Sequence, residues 1–139
     1  MRVGIAADHA GLILKNQIRD ILRTEGHLIE DFGPFEYHPH DDYPDFVEPL
    51  GRSVAEGAVE RGIAVCGSGV GAAIAANKVC GVRAAVVHNA HSARAGVEEE
   101  GMNVLCLGAK SLGVGAAVRI VEAFLNAELP AEIAAAALS

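Results

Sequence analysis

The centre of the chain is a segment that runs Ile63-Ala-Val-Cys66-Gly-Ser-Gly-Val-Gly71 and continues as Ala72-Ala-Ile-Ala-Ala-Asn-Lys78. The apolar run before Cys66 is bounded by glycines, which predicts a short buried strand. The alanine-rich part favours a helix that begins near Val70. Between them, glycines at alternate positions allow a sharp turn and expose backbone N–H groups. The segment therefore predicts a strand, a tight turn and a helix.

The same turn is the first candidate for chemistry. N–H groups at the start of a helix attract an anion or a developing oxyanion. Cys66 lies where those donors would favour a thiolate. Two plainer interpretations remain open: a tight turn without a ligand, and a cysteine that only packs. A dinucleotide site fits poorly, because Gly67-x-Gly69-x-Gly71 is one residue short of that fingerprint and no acidic residue follows about 20 positions on.

Composition limits the class of protein. The 139 residues suit one domain, predicted over 1–139, and 51% of them are hydrophobic. No apolar run approaches the roughly 18 residues of a spanning helix, and a net charge of −7 gives no footprint for nucleic acid. We therefore expect neither a membrane nor a nucleic-acid partner. Three scattered cysteines and the lack of a signal peptide predict a cytoplasmic protein without a disulfide framework.

Strand-like and helix-like segments alternate along the chain. Strands are predicted at 2–6, 27–31, 63–65, 82–88 and 103–107, and helices at 12–26, 44–61, from 70, at 90–96 and at 113–127. This alternation predicts a three-layer α/β/α sandwich on a parallel sheet. Ligands bind beyond the carboxyl ends of such strands, so the candidate loops are 7–11, 66–71, 88–91 and 108–113.

Polar side chains outside the glycine turn allow several interpretations. Asp8 is expected to cap the first helix, and with His9 it either serves only that role or belongs to a site. His88 and His91 are equally open. The run His38-Pro-His-Asp-Asp42 could bind a metal, but its spacing matches no zinc motif and favours a solvated loop. We therefore expect no metal site.

Five motifs occur in a fixed order: Ala7-Asp-His-Ala-Gly11, Asp42-Tyr-Pro-Asp-Phe46, Cys66-Gly-Ser-Gly-Val-Gly71, Ala75-Ala-Asn-Lys78 with Gly81-Val-Arg83, and Asn103-Val-Leu105. Together they resemble the type B ribose-5-phosphate isomerases, a family that includes galactose-6-phosphate isomerase subunits. The likeness extends from residue 1 to about residue 127. It implies a Rossmann-like five-stranded sheet, a homodimer or tetramer with active sites shared between subunits, and no cofactor.

The resemblance also implies a mechanism, in which aldose and ketose interconvert through a cis-enediolate. Cys66 is then the base that moves a proton between C1 and C2. The hydroxyl of Ser68 assists the backbone N–H groups that hold the developing oxyanion. The other implied site residues are Asp8 and His9 for the sugar or its phosphate, Tyr43 for the wall of the site, and Gly67, Gly69, Val70 and Gly71 for the oxyanion.

The chain departs from the family pattern in two places. Members carry a histidine that opens the furanose ring, followed by a substrate-binding asparagine, where this chain has Glu99 and Glu100. These residues are therefore the candidate acid and a candidate substrate contact, although an acidic run is also typical of a solvated face. Members carry two phosphate-binding arginines where this chain has Ile133 and Ala137. We therefore expect weak phosphate binding.

The leading hypothesis is an aldose–ketose isomerase of pentose-phosphate type, which interconverts ribose-5-phosphate and ribulose-5-phosphate. One alternative is an isomerase of a tetrose phosphate or an unphosphorylated sugar, since a tetrose phosphate needs no ring-opening acid. Another is a non-catalytic paralogue that binds sugar phosphates. The apolar tail at 131–138 is expected to pack against protein, as in a dimer. Cys80 and Cys106 lie in apolar runs, so Cys66 is expected to be alkylated first.

Overall fold

The fold is an α/β/α sandwich built on a five-stranded sheet. The computed structural model describes residues 1–138. Along the chain the elements are β1 (Arg2–Ala7), α1 (Leu12–Thr24), β2 (Leu28–Asp31), α2 (Pro44–Ala55), β3 (Arg61–Cys66), α3 (Val70–Asn77), β4 (Ala84–Val86), α4 (Ala90–Glu100), β5 (Val104–Gly108), α5 (Val114–Asn126) and α6 (Ala131–Leu138). The predicted alternation is confirmed. Within the described residues, no helix is both long and apolar enough to cross a membrane.

All strands of the sheet are parallel, in the order β2-β1-β3-β5-β4. The chain leaves β1 towards one edge of the sheet and β3 towards the other, so the strand order reverses between these two strands. The central strands β1, β3 and β5 are buried almost throughout, which explains their continuous apolar sequences. The carboxyl ends of β1 and β3 therefore border the crevice where this class of sheet binds ligands.

Two groups of helices cover the sheet. On one face α1, α4 and α5 pack in a core that includes Ile18, Val97 and Phe124. On the other face α2 and α3 pack through residues such as Leu50 and Ala76. The buried residues of α3 are alanines, so this helix lies close to the sheet. Its first turn is thereby held against the end of β3.

Three elements differ clearly in extent from the sequence prediction. Helix α2 ends at Ala55 rather than near residue 61, because Gly57 turns the chain at a φ of 78° and residue 61 already belongs to β3. Strand β4 is limited to Ala84–Val86 instead of 82–88. Helix α4 continues beyond residue 96 to Glu100, where Gly101 ends it with a φ of 68°.

Asp8 does not cap α1, contrary to expectation. The cap residue is Gly11, and no side chain accepts a hydrogen bond at the start of that helix. Instead Oδ1 of Asp8 accepts a bond of 3.1 Å from the N–H of Gly11 and closes the turn ahead of the helix. A Cβ on residue 11 would lie 2.3 Å from the carbonyl oxygen of Val65. Glycine thus lets the start of α1 meet the end of β3.

A buried ion pair fixes the beginning of the long loop between β2 and α2. Nζ of Lys15 donates to Oδ1 of Asp31 at 2.8 Å and to the carbonyl of Pro34 at 2.7 Å. Burial lowers the pKa of Lys15, and Asp31 opposes that change. Burial alone would raise the pKa of Asp31, but hydrogen bonds from Lys15, the N–H of Gly33 and Arg19 leave it lowered. The pair thus ties the loop to α1.

Asn77 blocks the outer side of the edge strand β4. Its Nδ2 donates to the carbonyl of Ala84 at 2.9 Å, and its Oδ1 accepts from the N–H of Ala84 at 2.8 Å. The asparagine side chain thus takes both backbone groups of Ala84, as a neighbouring strand would. This contact gives a structural role to the Asn within the Ala75–Lys78 motif.

Candidate active site

A cleft of about 540 Å³ opens at the carboxyl-end edge of the sheet, between the loops that follow β1 and β3. A larger cavity of about 710 Å³ lies beside the end of α5, but no cysteine or histidine lines it. The cleft is therefore the better candidate on chemical grounds. Most of the predicted site residues line it: Asp8, His9, Tyr43, Cys66, Gly67, Ser68, Val70 and Gly71.

Cys66 is the last residue of β3, and the residue is only 4% exposed. Its Sγ accepts a hydrogen bond of 3.1 Å from the N–H of Gly69. Gly69 has a φ of 82°, a conformation that favours glycine, and this turn directs its N–H back to the sulfur. Helix α3 begins at the next residue, so its positive end lies beside the thiol.

Ser68 completes the turn through its hydroxyl group. Oγ of Ser68 accepts a bond of 3.2 Å from the N–H of Val70. Two of the N–H groups that were assigned to the oxyanion, those of Gly69 and Val70, are therefore engaged within the loop. The expectation of an oxyanion site rests on the other two glycines of the turn, Gly67 and Gly71.

Tyr43 packs against the first turn of α3 and forms one wall of the cleft. A Cβ on Gly71 would lie 2.6 Å from Cζ of Tyr43 and 2.9 Å from its hydroxyl oxygen. Real Cβ atoms do not approach so closely, so glycine at this position admits the aromatic ring. Tyr43 also stands at the N-cap of α2, which brings the starts of α2 and α3 to one wall.

His9 reaches the cleft while it is bound to Asp41, a contact that sequence reasoning missed. Oδ1 of Asp41 lies 2.8 Å from Nδ1 of His9 and accepts a second bond of 2.8 Å from the backbone N–H of His9. The hydrogen bond from the His9 ring to Asp41 raises the pKa of His9, and the charge of Asp8 acts in the same direction. This pKa direction favours a protonated ring at the mouth of the cleft.

The polar run 38–42 has a different role from the metal site considered above. Most of it is exposed, but the side chain of Asp41 turns inward and is only 9% exposed. Among residues 1–138, no three His, Cys, Asp or Glu side chains are grouped so that they could hold a metal ion. The loop instead brings a carboxylate to His9.

Lys110 is a second residue of the cleft that sequence reasoning missed. It follows β5, lines the cleft, and its Nζ would lie 3.5 Å from a Cβ built on Gly67. Its backbone N–H donates to the carbonyl of Gly67 at 3.1 Å, which anchors it over the glycine turn. The loop 108–113 was a candidate by its position at the carboxyl edge. Lys110 is the only lysine in that loop, and this was the feature of the sequence that could have marked it as a residue of the cleft.

Glu99 and Glu100 do not line this cleft within one chain. They are exposed in the last turn of α4, at the amino-end edge of the sheet, where the carbonyl of Glu100 accepts from Nε of Arg83 at 2.7 Å. His88 and His91 are exposed and are not among the residues of the cleft. Ile133 is half-buried in α6, and the side chain of Ala137 lies outside the described part of the chain.

The three cysteines differ in exposure, and the burial expected of Cys80 from its apolar run is contradicted. Cys106 is buried, and burial raises the pKa of its thiol, as expected for a residue in an apolar run. Cys80 is exposed, whereas Cys66 is buried. The apolar sequence around Cys80 misled, because this residue lies in the turn between α3 and β4. An alkylating reagent therefore reaches Cys80 without obstruction.

Comparison with known proteins identifies the group to which this architecture belongs. A family model described as Ribose/Galactose Isomerase matches residues 3–137. The chain belongs to the ribose/galactose isomerase family. It is therefore an enzyme of the isomerase class, and the resemblance inferred from the five sequence motifs is confirmed.

Three members of the ribose/galactose isomerase family illustrate the likeness. The structure of ribose-5-phosphate isomerase B from Clostridium thermocellum has a TM-score of 0.92 and 40% identity, covering 99% of this chain and 93% of that chain. The enzyme of the same name from Mycoplasma genitalium, solved with bound ribulose-5-phosphate, has a TM-score of 0.88 and 38% identity over 92% of this chain and 85% of that chain. The D-erythrulose-4-phosphate isomerase of Pectobacterium atrosepticum is 37% identical over 92% of this chain and 84% of its own length.

Proposed function

We propose that the protein interconverts an aldose phosphate and a ketose phosphate, with ribose-5-phosphate and ribulose-5-phosphate as its substrates. One observation carries the proposal: the thiol of Cys66, with a hydrogen bond from Gly69 on its sulfur, shares a cleft with His9 and Lys110. The thiol offers a base, and the two basic side chains offer partners for a phosphate. The ribulose-5-phosphate bound to the Mycoplasma genitalium relative supports this substrate class.

In the proposed reaction Cys66 acts as the base. Its thiolate removes the proton from C2 of the open-chain aldose, and the electron pair moves into a cis-enediolate. The same proton returns to C1 while the hydroxyl proton of O2 passes to O1, which gives the ketose without change in composition. N–H groups of Gly67 and Gly71 would bind the charge that develops on oxygen. The sulfur of Cys66 already accepts a hydrogen bond from the N–H of Gly69.

Lys110 changes the expectation of weak phosphate binding. That expectation rested on the absence of basic residues from the tail, where Ile133 stands in place of an arginine. Lys110 and a protonated His9 supply two cationic donors from within the cleft itself. Charge-assisted hydrogen bonds to phosphate oxygens are stronger than hydrogen bonds between neutral groups. We therefore propose that phosphate binds without help from the tail.

A tetrose phosphate is the second candidate substrate, and Glu99 is the observation that favours it. The family pattern has a ring-opening histidine at this position, whereas an acyclic tetrose phosphate needs none. The erythrulose-4-phosphate isomerase of Pectobacterium atrosepticum supports the chemistry of this alternative. A pentose phosphate, by contrast, would require Glu99 or water to supply the ring-opening proton.

A second copy of the chain is part of the proposal. Val70 and Ile74 line the cleft and remain 52% and 57% exposed, an unusual exposure for apolar side chains beside an active site. A partner that covers them could also bring its own Glu99 to the cleft. The free thiols of Cys66, Cys80 and Cys106 support a reducing, cytoplasmic compartment. Light scattering at micromolar concentration should give the mass of a dimer or tetramer, and a monomer would contradict this assembly.

The test of function is a substrate panel that compares ribose-5-phosphate, erythrose-4-phosphate and allose-6-phosphate with the corresponding free sugars. Ketose formation is followed by NMR, so that one assay serves every substrate. We expect the highest kcat/KM for ribose-5-phosphate, and a kcat about 10²–10⁴-fold lower in Cys66→Ala. A preference for the tetrose phosphate would select the second candidate. Binding of sugar phosphates without any turnover would indicate a non-catalytic paralogue.

A further inference from the structure

The contact between His9 and Asp41 has a geometry that fixes the ring of the histidine. Oδ1 of Asp41 binds both Nδ1 and the backbone N–H of His9, each at 2.8 Å. The ring also meets Tyr37 edge-on, with centroids 6.1 Å apart. One nitrogen of the imidazole, Nδ1, is therefore engaged. The other nitrogen, Nε2, is left to the cleft that His9 lines.

Asp41 is placed to act on His9 alone. Its side chain is 9% exposed, and its second oxygen, Oδ2, is buried without a hydrogen-bond partner among the described residues. Among the side chains that the structure describes, only that of His9 is hydrogen-bonded to this carboxylate, so no competing cation there shares its charge. A buried carboxylate oxygen without a donor is costly, and such a cost is typical of a group retained for function.

The charged groups around His9 define its electrostatic environment. Asp8 and Asp41 are the two carboxylates whose charges stabilise the protonated ring. Cys66, Tyr43 and Lys110 are the titratable groups that share the cleft with it. The hydrogen bond to Asp41 raises the pKa of His9 most, desolvation opposes it, and the charge of Asp8 adds to the increase.

We propose that Asp41 is a positioning residue that keeps His9 as an imidazolium and directs its Nε2–H at the anionic end of the substrate. This inference rests on the proposed function and names what makes His9 an anion ligand. With Nδ1–H bound to Asp41, a neutral ring would present the lone pair of Nε2 to the cleft. That lone pair would repel a phosphate oxygen, whereas the protonated ring donates to it. In this proposal Asp41 keeps His9 in the cationic form, which binds an anion more strongly than the neutral ring does.

The test uses sulfate as the probe, because sulfate stays a dianion from about pH 6 to pH 8.5, where histidine titrates. The variants are Asp41→Asn, which keeps the size and the acceptor oxygen, and Asp41→Glu, which restores the carboxylate. Asp42→Asn is the matched control, since it removes one negative charge from the exposed neighbour that does not contact His9. The readouts are the pKa of His9 by NMR and sulfate affinity by calorimetry, neither of which requires turnover.

We expect Asp41→Asn to lower the pKa of His9 and to weaken sulfate binding about tenfold near pH 7.5. Most of this affinity should return near pH 6, where the ring protonates without help. Asp42→Asn should bind sulfate as the parent does, and Asp41→Glu should recover part of the loss. With the best sugar phosphate, Asp41→Asn should raise KM while kcat changes little.

Two results would overturn the inference. One is an unchanged His9 pKa in Asp41→Asn, with the fold verified by circular dichroism. The other is an equal loss of sulfate affinity in Asp42→Asn, because the loss would then follow from the change in net charge and not from the contact with His9. If the protein isomerises no sugar phosphate but its sulfate affinity still follows Asp41, the proposed function fails and the role of Asp41 stands. Should Asp41→Asn not fold, Asp41→Ser, which also removes the carboxylate, replaces it in the same comparison.

Discussion

The two loops that border the cleft are built from different kinds of groups. The loop after β1 contributes charged side chains, Asp8 and His9, and it is completed by the carboxylate of Asp41. The loop after β3 contributes a thiol and backbone N–H groups, held by glycine conformations, and contains no charged side chain. One loop therefore depends on protonation states, and the other depends on backbone geometry.

This difference indicates a division of work between the two sides of the cleft. A phosphate carries full charge at all times, and cationic side chains bind it whether or not the reaction proceeds. An enediolate carries charge only near the transition state, where preorganised N–H donors act most effectively. We therefore expect substitutions on the β1 side to change KM first, and substitutions on the β3 side to change kcat first.

The largest expected effect is on the β3 side. Cys66→Ala should lower kcat by about 10²–10⁴-fold, the range that a general base contributes, and should leave the melting temperature nearly unchanged. Cys80→Ser is the matched control, because it removes an exposed thiol at the other edge of the sheet. If Cys66→Ala and Cys80→Ser have equal kcat, the base has been misassigned.

The next largest effect is on the stability of the fold, through the buried ion pair between Lys15 and Asp31. Asp31→Asn should destabilise the fold by about 3–5 kcal/mol at pH 7, because it leaves the fully buried ammonium of Lys15 without its counter-ion. Since hydrogen bonding lowers the pKa of Asp31, the wild-type advantage is present above the ordinary aspartate pKa and is lost as pH falls through the lowered one. Urea denaturation at several pH values measures it.

The control for this experiment removes a carboxylate that also pairs with Arg19. Asp20 binds Nε of Arg19 at 2.9 Å, but its side chain is 66% exposed. Asp20→Asn should therefore cost less than about 1 kcal/mol. An equally small cost for Asp31→Asn would mean that the buried pair contributes little to the anchoring of the loop.

The smallest effect tests Lys110, which stands between the two loops. Lys110→Gln should raise KM for the sugar phosphate about fivefold to tenfold, because the lysine is exposed and water screens its charge. Added salt should raise KM of the parent and have less effect on the variant. A change confined to kcat would assign Lys110 to the oxyanion instead, and the division between the two sides would need revision.

The sequence predicted what local patterns determine. The run before Cys66 and the alternate glycines correctly gave a strand, a turn and a helix, and the switch between β1 and β3 placed Asp8 and His9 beside them. The contact between Asp41 and His9 could not be predicted, because it joins residues 32 positions apart through an irregular loop. The position of Lys110 at the cleft could not be predicted either, because it depends on the path of the loop after β5.

The sequence pattern also led to a wrong expectation about the exposure of Cys80, and it did not predict where Glu99 lies in the fold. Cys80 lies in an apolar run but occupies a turn, so its neighbours in sequence do not cover it. Glu99 was assigned to the site by its position in the family pattern, yet its helix ends at the opposite edge of its own sheet. An alignment position says which residue stands there, whereas the three-dimensional structure decides what that residue contacts.

Asn77 has a consequence for the behaviour of the protein at high concentration. An unpaired edge strand is a template on which another chain can add a strand and begin an aggregate. At β4 that template is three residues long, and the side chain of Asn77 already occupies both hydrogen-bonding groups of Ala84. Preparations of the native chain should therefore resist fibre formation from this edge, and Asn77→Ala should form fibres that bind thioflavin T.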